Sequence, residues 1–322
     1  MRNNQIVRSV LPVVVLCAVI LAPYDASAYT VDQLPTQQVY SDFVVGPGKM
    51  DVELKPGESK TVELTLANRM GDEREFEVHV EDIKGSEDPQ QAVVLLGGER
   101  GPYSLRDYFS FPEQTFTLPH ATKAHIPVTI TIPKDAEPGG YYGSVIFTTV
   151  SKKTTNPSGE VVGGAAVISR IGVLFFVTVP GATKEDGFLE SFATKAKQMF
   201  FTKGDVTFQA LFRNNGDLHL KPSGQIKISN MLGTPIETIA VDQWYSLPHS
   251  LRLREVEWQR SGLAGQYTAE ISLNRGYNNQ SDTKKVTFWV IPLLPVGIVL
   301  GIVFIIFFVI RYLVTHIEIR RK

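Results

Sequence analysis

The 322-residue sequence contains a single cysteine, Cys17, which lies in an apolar stretch near the N-terminus. If that stretch is removed as a secretion signal, the remaining chain has no cysteine. This excludes disulfides, a thiolate nucleophile and cysteine-ligated metal sites. Because large secreted animal domains usually carry disulfides, their absence favours a bacterial surface protein.

The sequence also lacks an excess of charge of either sign. Its formal net charge is −1, and residues 29–288 hold 26 Lys and Arg against 31 Asp and Glu. Proteins that bind nucleic acids need a basic surface to neutralise phosphates. Nucleic acid is therefore not an expected partner.

The signatures of the common enzyme classes are missing as well. The sequence has no H-E-x-x-H, no G-x-S-x-G, no phosphate-binding loop and no dinucleotide-binding glycine motif. It has no EF-hand loop, and its histidines are not spaced with carboxylates as metal ligands would be. We therefore expect a protein that is not an enzyme and that has no metal or cofactor.

The N-terminus has the pattern of a cleavable secretion signal. Arg2 and Arg8 flank the start of an apolar stretch at 11–22, and the small-residue sequence Ala-Ser-Ala follows at 26–28. The apolar stretch is too short to span a bilayer comfortably, which argues against an uncleaved anchor. The sequence predicts a signal peptide over 1–28, with cleavage before Tyr29.

An uncharged apolar run of 22 residues, 289–310, lies near the C-terminus. At 1.5 Å per residue it reaches about 33 Å as a helix, enough to cross a membrane. Basic residues follow it at Arg311 and at 320–322, and positive charge favours the cytoplasmic side. We predict a single transmembrane helix at 290–312 and a basic cytoplasmic tail at 313–322. The protein is then a cell-membrane protein with its N-terminus and ectodomain outside.

Apolar and polar residues alternate with period two through most of the region between these ends, as in β-strands with one buried face. Clusters of Gly, Pro and Asn separate the alternating segments and indicate turns. The clearest alternating sets are Val62, Leu64 and Leu66; Val128, Ile130 and Ile132; Phe208, Ala210 and Phe212; and Ala269, Ile271 and Leu273.

This pattern predicts an all-β fold, with two Ig-like β-sandwich domains in tandem followed by the transmembrane α-helix. The first domain is predicted to span 39–182 and the second 186–289, with a short linker of Pro, Gly and charged residues between them. The last strand of the second domain leads into the helix with almost no stalk.

Two irregular regions interrupt the first domain. The polar, Gly-rich segment 151–165 is predicted to be a long hairpin loop, which could be a plain solvated turn or a binding loop. The other region, 84–118, is rich in aromatic residues. These either fill the core or form a platform for a sugar or a protein partner. The candidate ligand-binding residues in this region are Tyr103, Tyr108, Phe109 and Phe111.

Three stretches carry a resemblance to a known family: LKPGESKTVELTLANR at 54–69, VTITIPKDAEPGGYYGSVIF at 128–147, and FRNNGDLHLKPSGQIKISNMLG at 212–233. With the signal peptide, two sandwiches and one span, the chain resembles the bacterial cell-surface WxL-interacting proteins. The resemblance implies peptidoglycan binding by the first domain and a WxL-domain partner for the second. The sequence departs from the family pattern after Val45, where the usual Pro-x-Asn-Gln is not seen.

A weaker resemblance is to periplasmic pilus chaperones. They pair an N-terminal Ig-like domain with a strand like the one at 169–175, and they complete a partner's sheet by strand donation. Our main hypothesis is a membrane-anchored, non-enzymatic extracellular binding or scaffold protein that engages cell-wall peptidoglycan or a surface protein. The alternative is a chaperone-like assembly factor acting by strand addition. An unpaired strand edge in the first sandwich, free of Lys and Pro, would favour the alternative.

Overall fold

The computed structural model describes residues 29–150 and 168–316. The predicted signal peptide (1–28), the predicted loop (151–165) and the end of the predicted tail (317–322) lie outside the described residues. The described chain consists of β-strands followed by one long helix at the C-terminus. The prediction of a mainly β chain that ends in a single apolar helix is therefore confirmed.

The first eleven strands form two sheets that pack face to face, which we call the first sandwich. One sheet has the order β1-β9-β4-β2, with β7 beside β9, and the other has the order β3-β11-β10-β5-β6, with β8 beside β5. The strands are β1 (Thr30–Gln33), β2 (Asp42–Gly46), β3 (Lys49–Glu53), β4 (Ser59–Arg69), β5 (Arg74–Lys84), β6 (Val94–Leu95), β7 (Phe109–Ser110), β8 (Thr115–Leu118), β9 (Thr122–Thr131), β10 (Gly139–Thr149) and β11 (Arg170–Val179).

The core of the first sandwich follows the alternation read from the sequence. Val62, Leu64 and Leu66 on β4 are buried, whereas the intervening Glu63 is exposed. They meet side chains of the facing sheet such as Phe147 in one continuous apolar core. Burying a Val, Leu or Phe side chain contributes about 1.5–3 kcal/mol, so this core supplies the main driving force for the sandwich. The sandwich also includes β1, which lies before the predicted boundary at residue 39.

Eight further strands form the second sandwich, again two sheets around one core. The smaller sheet has the order β12-β14-β17 and the larger one the order β13-β19-β18-β15-β16. The strands are β12 (Gly187–Thr194), β13 (Phe200–Phe201), β14 (Asp205–Asn214), β15 (Ser223–Asn230), β16 (Pro235–Val241), β17 (Ser250–Gln259), β18 (Gly265–Asn274) and β19 (Ser281–Val290).

A buried asparagine holds the same kind of corner in both sandwiches. Asn68, at the end of β4, is fully buried and donates through Nδ2 to the carbonyls of Asp72 and Leu118, at 2.8 and 2.9 Å. Asn214, at the end of β14, donates to the carbonyls of Leu218 and Ser246, both at 2.9 Å. Each amide thus ties the turn that follows its strand to a neighbouring segment of the chain.

The C-terminal helix α1 (Leu293–His316) begins three residues later than the predicted boundary at 290. The difference arises because Trp289 and Val290 belong to strand β19, where they pair in parallel with Phe200 and Phe201. Within α1, the segment Gly297–Thr315 has a mean hydropathy of 2.7, and none of it is buried against the rest of the chain. By length and composition α1 can cross a membrane.

Candidate functional site

Three of the predicted ligand-binding aromatics lie together against the core of the first sandwich. Tyr108, Phe109 and Phe111 are half-buried. The Phe109 ring meets Phe175 edge-on at 5.0 Å between centroids and stacks with Phe111 at 6.1 Å. Tyr108 packs against Tyr141 at 5.7 Å. These rings cover part of the core, and their role in ligand binding stays a prediction.

Tyr103, the fourth predicted residue, lies apart from the other three, between the two sandwiches. Its ring meets Tyr142 edge-on at 6.0 Å, and its hydroxyl donates to Asp217 Oδ1 at 3.2 Å. Burial, together with the nearby Asp217 carboxylate, raises the pKa of Tyr103 to about 12. The structure therefore does not bring the four aromatics together into a single platform.

The contact between the sandwiches is built on the outer face of β10 and β11. Tyr142 and Phe176 are fully buried there, with ring centroids 5.5 Å apart, and they pack with Leu247 of the second sandwich. The Tyr142 hydroxyl accepts a hydrogen bond from the His219 backbone N–H at 2.7 Å and contacts His219 Nδ1 at 3.2 Å. The sequence signal for this interface is the uninterrupted apolar run 173–177, because a strand covered on one face only alternates.

A charged cluster borders this interface. The Asp51 carboxylate lies 2.7 Å from Lys49 Nζ, 3.3 Å from Lys221 Nζ and 3.5 Å from His219 Nε2. The His219 hydrogen bond first, and then the two ammonium groups, hold the pKa of Asp51 well below its usual range. Burial lowers the pKa of His219, even though Asp51 opposes the shift. Because its pKa lies below the usual value of 6.5, His219 is neutral at pH 7, with Nε2 facing Asp51 at 3.5 Å and Nδ1 facing the Tyr142 hydroxyl at 3.2 Å.

This arrangement predicts a loss of stability in mild acid. Below the unfolded-state pKa of His, about 6.5, the unfolded chain binds a proton that the folded His219 resists. The free energy of unfolding is therefore expected to fall as the pH is lowered from 7 to 5, with a further fall below about pH 4 as Asp51 is protonated in the unfolded chain.

Urea unfolding as a function of pH measures both steps. His219→Gln should abolish the first step, whereas His249→Gln, which changes an exposed interface histidine, should retain it. An unchanged pH 7-to-5 slope in His219→Gln would contradict this assignment.

The first part of strand β11 in the first sandwich is paired on one side only. Strand β11 pairs with β10 from Arg170 to Val179, but on its other side β3 pairs only with Leu174–Thr178. Residues 170–173, which we call the free edge, form no strand ladder on that side among the described residues, although β2 approaches β11. Because the N–H of Leu174 donates to Gly48 on that side, the alternation of a strand directs the N–H and C=O of Arg170 and Gly172 to the same side.

The free edge contains neither Lys nor Pro, and Arg170 is its one charged residue. Ile171 is 36% exposed, and Ile168, just before the edge, is 59% exposed. The charge of Arg170 is directed away from the edge, because its guanidinium reaches across β10 and binds Glu81 on β5 of the same sheet. The edge therefore lacks the Lys and Pro residues that commonly prevent strand pairing, and its single charge is paired with Glu81.

Two other strand edges in the described part of the chain differ from the free edge. The first part of β17 receives the loop 86–89, with Leu251 N–H bonded to Ser86 O at 2.9 Å and Leu253 N–H bonded to Pro89 O at 3.0 Å. The rest of β17 carries Arg254, Glu255 and Glu257. The outer edge of β2 is five residues long and is followed by Pro47. The contrast singles out the free edge as the candidate binding site.

No protein-family model matches the sequence, and no curated protein matches it. Several solved structures align at low identity. The class 5 fimbriae chaperone CfaA is 12% identical, with 77% of this chain and 99% of that chain covered and a TM-score of 0.35. The E. coli chaperone DraB is 12% identical, with 77% and 97% covered and a TM-score of 0.34. The CsuC-CsuE chaperone-tip adhesion subunit complex of Acinetobacter baumannii is 12% identical, with 76% and 97% covered and a TM-score of 0.35. At these values the alignments assign no function to this chain, and the resemblance to WxL-interacting proteins stays a prediction.

Proposed function

We propose that this protein is a membrane-anchored, non-enzymatic binding protein of two Ig-like domains, which captures an extended segment of a partner protein at the free edge. The observation that supports this function best is the unpaired edge of β11 beside exposed Ile171. It is the feature that the strand-addition hypothesis requires, and it is found on the ten-residue strand β11, the second strand of its sheet.

The chemistry of the free edge suits an extended peptide. The N–H and C=O groups of Arg170 and Gly172 can form ladder hydrogen bonds with an added strand, which supply affinity without reading the partner's sequence. Ile171 and Ile168 offer apolar contacts to alternate side chains of that strand. Selectivity would then come from apolar residues at every second position of the partner.

The helix α1 supports a location at the membrane. Its side chains are exposed over the whole apolar segment, and no other part of the described chain covers them. An uncovered apolar surface of this length is stable in a bilayer and unstable in water. The captured partner is therefore expected to be a protein at the cell surface. The extracellular orientation and peptidoglycan as a second ligand belong to this proposal, but the free edge favours a protein.

Crosslinking in the native cell tests the proposal. A photo-crosslinking residue at Ile168 of the full-length protein is expected to yield one discrete product with a second protein. Ile171→Lys should reduce that product at least about tenfold, because strand addition would bury an unpaired charge. The control is Leu95→Lys, at an exposed apolar residue on the short strand β6 at the opposite edge of the same sheet.

The identified partner then provides a second readout. Hydrogen exchange at the amides of Arg170 and Gly172 should be fast in the free protein and slow in the complex, since these amides have no partner strand in the described structure. Crosslinks that form equally in Ile171→Lys, or that trap only peptidoglycan fragments, would refute strand capture.

A further inference from the structure

The strand registers define which loops of the second sandwich lie next to the membrane helix. Strand β19 ends at Val290, which pairs with Gly265 of β18 and with Phe201 of β13. On the next strand, Asn230 at the end of β15 pairs with Tyr267. The segments 195–204, 230–234 and 260–264 therefore lie at the end of the sandwich from which α1 leaves. We call them the helix-side loops.

Exposed apolar side chains of the second sandwich are concentrated at this end. Met199 and Phe200 are 56% and 60% exposed, and Met231 and Leu232, at the tip of the β15–β16 hairpin, are 71% and 82% exposed. Together with Trp289 and Ile291, they account for the large apolar side chains that are exposed in residues 187–292. Such a patch on two separate loop tips marks an interaction surface.

The charged residues of the helix-side loops themselves are all basic. The helix-side loops contain Lys195, Lys197, Lys203 and Arg260 and no acidic residue. Lys195 and Arg260 pair with Glu255 and Glu237 on the strands. The opposite end of the second sandwich, which meets the first sandwich, carries both signs. Its charged residues include Glu185, Asp186, Asp217 and Lys221.

The connection to α1 is too short to hold these loops away from a bilayer. Only Ile291 and Pro292 separate β19 from the first residue of the helix. Two extended residues span at most about 7 Å. A cleft of about 610 Å³ at this end is lined by Lys203, Asp205, Arg260 and Pro292 among others, so the two basic groups lie near the point where the chain enters the helix.

We propose that the helix-side loops form a second membrane contact, in which Met199, Phe200, Met231 and Leu232 insert into the interface of the bilayer and Lys197 and Lys203 face anionic headgroups. The contact rests on the proposed anchoring by α1 and extends it, because it fixes the orientation of the sandwich on the membrane. Apolar side chains of interfacial segments reach roughly 5–10 Å into the headgroup and acyl boundary. Lysines near an anionic surface add attraction that weakens with salt.

Fluorescence quenching in nanodiscs tests this contact with the full-length chain. The single native cysteine is replaced by Cys17→Ser, and an environment-sensitive fluorophore is attached after Phe200→Cys or Leu232→Cys. Gln243→Cys, at the opposite end of the same sandwich, serves as the matched control, and Val303→Cys reports on α1. The emission of labels at 200 and 232 should be blue-shifted, and nitroxide-labelled lipids should quench most of it. The label at 243 should show neither effect. Quenching at 232 should be stronger in bilayers that contain phosphatidylglycerol than in bilayers of phosphatidylcholine alone. The double substitution Lys197→Gln and Lys203→Gln should remove that difference.

The outcomes separate the two levels of the proposal. Quenching at 303 without quenching at 200 and 232 would leave the anchor in place and overturn the membrane contact. The absence of quenching at 303 would overturn the anchor and the contact together. Labels at 200 and 232 that are shielded from water but not quenched by lipid would assign the patch to a second copy of the chain or another protein, and this too would overturn the inference.

Discussion

Ending the chain after Pro292 is expected to transfer the protein from the membrane fraction to the soluble fraction. The truncation removes α1, whose apolar segment has no cover within the described chain. The loss of about 20 apolar residues removes far more transfer free energy than the interfacial loops can replace. Cell fractionation with a high-salt wash measures the result, and circular dichroism of the released protein should show an intact β fold.

Two full-length variants control for the truncation. Ile306→Ala, in the middle of α1, should leave the protein in the membrane, because one shorter apolar side chain does not prevent insertion. Ile306→Arg places a charge at the helix centre at a cost of about 2.5–3.5 kcal/mol and should reduce the inserted fraction. Full-length protein in the soluble fraction, or truncated protein that resists the wash, would refute anchoring by α1.

Much of the fold could be predicted from short segments of the sequence. The alternating segments become strands because one face of each is buried, and the buried Asn68 and Asn214 close corners that the sequence already marks as turns. The boundary between β19 and α1 could not be read in this way. Trp289 and Val290 are apolar in both structures, and their pairing with Phe200 and Phe201, about 90 residues earlier in the chain, decides for the strand.

The candidate site could not be predicted from any short segment of the sequence. A free edge is defined by where a neighbouring strand begins to pair, and β3 reaches β11 only at Leu174, across more than a hundred residues of chain. The interface residues Asp51, Tyr142 and His219 are also distant in sequence, with Tyr142 and His219 separated by 77 positions. The four predicted aromatic residues show the converse, because residues that are close in sequence lie on different surfaces of the fold. Tyr103 faces the second sandwich, whereas Phe109 and Phe111 cover the first core.

Replacing Tyr142 by alanine is expected to uncouple the two sandwiches. Its ring is fully buried between Tyr103, Phe176 and His219, and its hydroxyl holds the His219 backbone N–H. Removal of a large buried aromatic side chain costs about 3–5 kcal/mol, because the cavity is only partly refilled. Since much of the apolar contact between the sandwiches surrounds this ring, unfolding in urea should change from one transition to two.

The hydroxyl and the ring can be separated by two further substitutions. Tyr142→Phe keeps the ring but leaves the His219 N–H and Nδ1 without the Tyr142 partner. It should therefore lower the free energy of unfolding by about 1–3 kcal/mol, and unfolding should remain a single transition. Tyr141→Phe is the neighbouring control: it removes a hydroxyl that donates to the Glu137 carbonyl at a more exposed position and should change stability little. If Tyr142→Ala still unfolds in one step with an unchanged midpoint, the interface does not couple the sandwiches. In that case the interface would not fix the orientation of the free edge relative to the membrane.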